Sequence, residues 1–217
     1  MPRVGVFGGS FNPIHFGHLL VADEITETLD LDRLLFVPAS EPPHKLGADL
    51  APADARFEMT ALAVAGHPRF EVCDLEIGRP GPSYTVETLT ALQHRGDLHL
   101  LIGSETFLDL LAWRDPWKVA RLARLVVVPR SGTDFDPEAP DSLRILSELG
   151  LPPFVPARED APGPPLPHAP LLVSASSLPI SASDLRRRAR SGRSLAYRLP
   201  DRVAAYIRDR GLYRAER

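Results

Sequence analysis

Several ingredients are scarce in this 217-residue chain, and each scarcity excludes something. Cysteine is nearly absent: Cys73 is the only one, so an intrachain disulfide framework is ruled out and a reducing cytoplasm is suitable. Phe70, Val72 and Leu75 surround it, which suggests a strand and a packed thiol rather than a reactive one. Long apolar runs are missing too. None approaches the ~20 residues needed to cross a bilayer, and Val4-Gly5-Val6-Phe7 is too short for the core of a secretory signal. A cytoplasmic protein with no membrane partner is expected. Nor is there an excess of one charge. With 25 basic and 28 acidic residues the net charge is −3, which gives no whole-protein attraction for nucleic acid. Any phosphate site must be local.

What is present is the balance of a globular protein, with 44% hydrophobic and 24% charged residues. The length suits one substantial α/β domain spanning 1–217 and is short for two. Apolar runs at Val4–Phe7, Leu34–Val37, Phe70–Val72, Leu98–Ile102, Leu125–Val128 and Leu171–Val173 predict strands. Their hydrophobicity is mostly continuous rather than alternating, as in strands buried on both faces of a parallel sheet. Between them Gly17–Leu29, Ala53–Ala65, Thr85–Arg95 and Glu105–Leu111 carry apolar residues at helical spacing. This order predicts an α/β fold with a doubly wound, mostly parallel open sheet. About half of the 23 prolines fall between Pro129 and Pro179. Ala161–Pro170 cannot form helix or interior strand, so an irregular excursion is expected at about 152–170. A C-terminal helical part follows at about 181–213.

The most informative segment is Gly8-Gly9-Ser10-Phe11-Asn12-Pro13-Ile14-His15-Phe16-Gly17-His18-Leu19, which follows the first strand and opens a helix. In a parallel sheet, ligands sit where strand carboxyl ends meet helix amino ends. Gly8 and Gly9 let backbone approach a ligand, and free amides at the helix start favour an anion. No G-x-x-x-x-G-K-[ST] occurs, which excludes a P-loop, and the dinucleotide fingerprint G-x-G-x-x-G is also missing. His15 and His18 stand three apart, so both rings can face one cleft and donate to phosphate oxygen. The alternative is a helix cap and a packed ring. A zinc site would need further ligands at convincing spacing, and no cysteine or histidine provides them nearby.

The run Gly9–His18 resembles the G-x-F-x-P-x-H-x-G-H signature of the nucleotidyltransferases with the HxGH motif, and hence a Rossmann-like nucleotidyltransferase fold. The resemblance implies that His15 and His18 contact the phosphates of ATP and that His18 stabilises charge on the α-phosphate. Ile180-Ser181-Ala182-Ser183-Asp184-Leu185-Arg186 is similar to the family's I-S-x-[ST]-x-x-R element. Physically, Ser181 or Ser183 can cap a helix while exposed amides and Arg186 bind phosphate. The alternative is a solvated basic face at Arg186-Arg187-Arg188. With Gly8, Gly9, Ser10 and Phe11, these residues make up the expected ATP site. Gly103-Ser104-Glu105 stands where the family usually has Gly-x-Asp, so Gly103 and Glu105 join the ATP site by resemblance. The glutamate reaches one methylene further than the usual aspartate.

Pro42-Pro43-His44-Lys45, Arg56-Phe57-Glu58-Met59, Pro82-Ser83-Tyr84-Thr85, Trp113 and Gly211-Leu212-Tyr213 extend the likeness along the chain, except roughly 132–170. In order and spacing they resemble bacterial nicotinate-nucleotide adenylyltransferases. That resemblance implies transfer of AMP from ATP to nicotinate mononucleotide, with pyrophosphate as the second product. Trp113 can stack on a flat pyridine, Thr85 and nearby amides can meet a carboxylate, and Lys45 supplies positive charge. Each has a structural alternative: Trp113 in the core, Thr85 as a helix cap, Lys45 in solvent.

The chemistry needs no covalent intermediate and no strong base, because a phosphate oxygen is already a nucleophile; positioning and charge stabilisation suffice. His18, His15 and Arg186 are the expected catalytic residues, and Mg²⁺ is the expected cofactor, held mainly by the ATP phosphates rather than by protein ligands. Nicotinamide mononucleotide or another phosphorylated acceptor, and a non-catalytic nucleotide-binding regulator, are the alternative readings. A homo-oligomer is compatible with the sequence, which sets no stoichiometry.

Overall fold

Apolar runs of strand length form the interior of one seven-stranded sheet in the computed structural model, which describes residues 1–42, 50–129, 134–157 and 168–214. The strands are β1 (Arg3–Gly9), β2 (Arg33–Pro38), β3 (Phe70–Val72), β4 (Asp97–Gly103), β5 (Arg124–Val128), β6 (Val155–Pro156) and β7 (Leu171–Leu172). Their order across the sheet is β3-β2-β1-β4-β5-β7-β6, and every neighbouring pair is parallel. The helices are α1 (Phe16–Thr28), α2 (Ala53–Val64), α3 (Thr85–Leu92), α4 (Ser104–Leu108), α5 (Pro116–Leu122), α6 (Pro140–Leu149), α7 (Ala182–Arg190) and α8 (Asp201–Asp209).

Continuous hydrophobicity has the predicted cause: successive strand residues enter different cores. Leu35, Val37, Leu98, Leu100, Ile102, Leu125 and Val127 pack with Leu89 of α3, Phe107 of α4, Val119 of α5 and Ile145 of α6. Leu34, Phe36, Leu101 and Val126 pack on the other side with Ile25 of α1, Met59 of α2, Leu185 of α7 and Val203 of α8. A side-chain period of two thus feeds two layers, which is the doubly wound α/β arrangement.

Two helices lie outside the segments expected from periodicity. Both begin with proline, Pro116 in α5 and Pro140 in α6. Proline reads as a breaker along a sequence, but the first helical position tolerates it because that amide has no intrahelical partner. Of the expected proline-rich excursion, residues 158–167 lie outside the described residues. Val155–Pro156 is an edge strand on β7, with Val155 N–H donating to Pro170 O at 2.9 Å. A two-residue edge strand admits proline because its outer side has no ladder to complete.

The chain winds from β1 outward to β2 and β3, then crosses back to β4 on the opposite side of β1. The carboxyl ends of β1 and β4 therefore diverge into separate connections, leaving a crevice between them.

Candidate active site

That crevice is a cleft of about 420 Å³, within the size range of small-molecule sites. One wall is Phe7–Asn12 with His15, Gly17 and His18; another is Leu101–Glu105 at the end of β4. The third is Ala175–Leu178 and Ile180–Ala182, the approach to α7. Sites read from distant parts of the sequence, in the turn after β1, the end of β4 and the start of α7, thus meet in one cavity.

The turn after β1 is held by its own residues. His15 is the N-cap of α1, with extended backbone (φ −151°), and is buried. Its backbone N–H donates to His18 Nδ1 at 3.3 Å, and the two rings stack with centroids 3.8 Å apart. An acceptor role for Nδ1 leaves the proton of neutral His18 on Nε2, which becomes the donor. Phe11 and Phe7 set their rings against His18 at 5.3 and 6.1 Å. His18 is therefore fixed on several sides before any ligand arrives.

The glycines of the turn have separate reasons. A Cβ on Gly17 would lie 3.1 Å from both Cε1 and Nδ1 of His15, so glycine is what lets the His15 ring fold over α1. At Gly8 and Gly103 an added Cβ would meet nothing within 4 Å. Both line the cleft, so the space that they leave belongs to the cavity. Phe11 has φ +40°, a left-handed conformation uncommon for a bulky residue, while its ring is buried. Local strain retained at a cleft wall is a mark of functional sites.

On the third wall, Ser181 caps α7, its Oγ accepting from Asp184 N–H at 3.2 Å, and it also lies 3.2 Å from Ser183 Oγ. Between the two serines, Ser181 is the cap. Arg186 Nη1 donates to Asn12 O at 2.8 Å, so the guanidinium ties α7 to the turn after β1. Ser183 and Arg186 stand beside the cleft lining rather than in it. Glu105 is exposed on the β4 wall.

The residues expected to meet an acceptor converge less. Thr85 is the first residue of α3, with Tyr84 as N-cap, so Thr85 is not the cap. Trp113 is half-buried and packs against the core on the α3–α6 face. Neither belongs to the cleft lining. Lys45 lies outside the described residues.

Three residues without a role in the sequence reading hold the site together. Asn12 Oδ1 accepts from Tyr213 Oη–H at 2.8 Å and from Ala51 N–H at 3.1 Å, which fastens the turn to both the segment before α2 and the C-terminal segment. Arg56, 1% exposed on α2, donates to carbonyl oxygens of Ala51, Ser10, Ala39 and Ser40. Burial lowers its pKa, opposed by the charges of Tyr213 and Asp54. A signal did exist: Arg56 shares a helical face with the buried Met59 and Thr60. Arginine there must be paired with acceptors.

The model of the cytidylyltransferase-like family matches residues 6–188. The chain belongs to that family. It is 42% identical over 213 residues to a probable nicotinate-nucleotide adenylyltransferase of Roseiflexus sp. (strain RS-1), covering 97% of this chain and 98% of the relative. With a protein of the same name from Thermus thermophilus it shares 43% identity over 215 residues, covering 98% and 100%. Among solved structures, Plasmodium falciparum nicotinic acid mononucleotide adenylyltransferase complexed with NaAD superposes with a TM-score of 0.73 at 18% identity, covering 98% of each chain. That structural likeness speaks for the fold.

Proposed function

We propose that this protein transfers the AMP part of ATP to nicotinate mononucleotide, forming nicotinate adenine dinucleotide and pyrophosphate. The observation that carries this reading is the meeting of three elements in the crevice between β1 and β4: the stacked His15–His18 pair, the β4 end and the capped start of α7. The name shared by the 42–43% identical relatives selects the acceptor.

In this mechanism a phosphate oxygen of the acceptor attacks the α-phosphorus of ATP in line, the bond to the β-phosphate oxygen breaks, and pyrophosphate leaves. His18 Nε2–H donates to a non-bridging α-phosphate oxygen, and Gly9–Phe11 amides and His15 meet the remaining phosphates. Arg186, held near the turn by Asn12 O, has further guanidinium donors for the triphosphate. Glu105 faces the ribose or the water around the metal, and Thr85, Trp113 and Lys45 serve the acceptor.

Among the described residues no group of three or more His, Cys, Asp or Glu could hold a metal ion. Glu105, the carboxylate on the cleft wall, fits a metal that arrives already coordinated. Mg²⁺ would enter with ATP and neutralise phosphate charge. No helix among the described residues is long and apolar enough to cross a membrane. We place the reaction in the cytoplasm, without nucleic acid as a partner; a homo-oligomer would leave the chemistry unchanged.

The test is pyrophosphate release from ATP and Mg²⁺ with nicotinate or nicotinamide mononucleotide. Strong preference for the nicotinate form is expected. Equal use keeps AMP transfer and removes the acceptor specificity, and no release with either, from folded protein that binds ATP, overturns the reading in favour of another acceptor or a regulator.

A further inference from the structure

We propose that Arg56 is a positioning residue that fixes the ATP-side turn and the acceptor-side loop relative to each other. The proposal rests on the AMP-transfer reading, with the acceptor beside the segments after β2 and before α3.

Arg56 Nε donates to Ala51 O at 2.9 Å, Nη1 to Ser10 O at 2.9 Å and Ala39 O at 2.5 Å, and Nη2 to Ser40 O at 2.8 Å. One rigid, planar fork thus grips three chain segments. A trans peptide is planar with N–H opposite C=O. When Ser10 O is drawn to Arg56, the N–H of Phe11 on the same peptide is turned away from it. Phe11 lines the cleft, and its amide is among the proposed phosphate donors.

The second grip has an independent partner. Ala39 O and Ser40 N–H are two sides of one peptide. Arg56 holds the carbonyl, while Ser40 N–H donates to Ser83 Oγ at 3.0 Å. Ser83 N–H in turn donates to Glu41 O at 3.0 Å, and Glu41 bridges Pro82. Ser83 lies two residues before Thr85. A line of hydrogen bonds therefore runs from Ser10, through Arg56 and the Ala39–Ser40 peptide, to the N-terminal end of α3. In-line attack requires both substrates to be held in one geometry, and misplacement by about 1 Å can cost about a hundredfold in rate. Lysine keeps the charge at this position but cannot reproduce the fork.

Steady-state kinetics of Arg56→Lys and Ser83→Ala, with circular dichroism and Tm recorded for each, test the proposal. Arg56→Lys should lower kcat/KM for both substrates by about a hundredfold in protein that remains folded. Ser83→Ala, which releases the far end of the line and with it the hydrogen bond from Ser83 to Glu76, should raise the acceptor KM about tenfold and change the ATP KM less than about twofold. A purely structural role would lower Tm and leave both KM values of the folded enzyme alone. Folded Arg56→Lys with near wild-type constants overturns the proposal. So does Ser83→Ala with an unchanged acceptor KM, and this variant decides the matter if Arg56→Lys does not fold. Failure of the wild-type protein to release pyrophosphate is a different result, which overturns the AMP-transfer reading and this proposal with it.

Discussion

The turn after β1 and the segment before α3 were both read as binding regions, yet they are built differently. In the turn, the cleft-facing groups fix one another: His15 stacks on His18, Phe11 and Phe7 pack against His18, and Gly17 leaves room for the His15 ring. Before α3, the strongest contacts point inward. Glu76 is buried and accepts from Thr88 Oγ–H at 2.5 Å, while Ser83 Oγ accepts from Ser40 N–H. The first region presents a formed surface to ligand, and the second presents a scaffold. Rigid phosphate recognition suits the former, because preorganised donors are what stabilise transition-state charge.

The largest effect that could break this contrast is at His18. His18→Ala should fold normally and lose about a hundredfold or more of turnover, roughly 3 kcal/mol, in a pyrophosphate-release assay. Near wild-type turnover would remove the turn's claim to the chemistry. Gly17→Ala is a finer probe: the new methyl must displace the His15 ring, and about a tenfold loss of kcat is expected with Tm little changed. An unaltered kcat would mean that the stacked ring geometry is not needed.

On the other side, Thr85→Ala should raise the KM for nicotinate mononucleotide about tenfold or less and leave the ATP KM alone. If both constants stay at wild-type values, Thr85 belongs to the scaffold only. The smallest effect concerns pH. Burial holds the Glu76 carboxyl above the ordinary carboxylate range, although hydrogen bonds from Thr88 and Ser83 oppose it. The folded protein then binds this proton more tightly than the unfolded chain does. Glu76's contribution is fully present below the unfolded value and is lost as pH rises through the higher folded value. Melting series across that window should show Tm falling with rising pH in the wild type and falling less in Glu76→Gln. A difference in Tm between the two that does not vary with pH would falsify the assignment.

Strands and most helices were legible because their signal is local: apolar runs such as Leu34–Val37 and Leu98–Ile102 need no knowledge of their neighbours. The helices α5 and α6 were not, since an initial proline has opposite meanings inside a helix and at its first position. At the site, the HxGH turn and the start of α7 could be named from sequence, and Ser181 does cap its helix. Arg56 and Tyr213 could be quoted as parts of a resemblance but not given work. Their partners, Ser10 and Ala39–Ser40 for one and Asn12 for the other, are remote in sequence and include backbone atoms, which leave no side-chain signature.

By itself, then, the sequence determined the α/β class, the glycine-rich turn after β1 and the histidine pair, because spacing of three across a helix start brings two rings together without help from elsewhere. Tertiary structure decided the rest. It placed the carboxyl ends of β1 and β4 on either side of a crossover, brought α7 over the turn through Arg186 and Asn12, and kept Trp113 against the core rather than in the cleft lining. Strand order and long-range hydrogen bonds depend on which surfaces bury each other, and local patterns do not encode that choice.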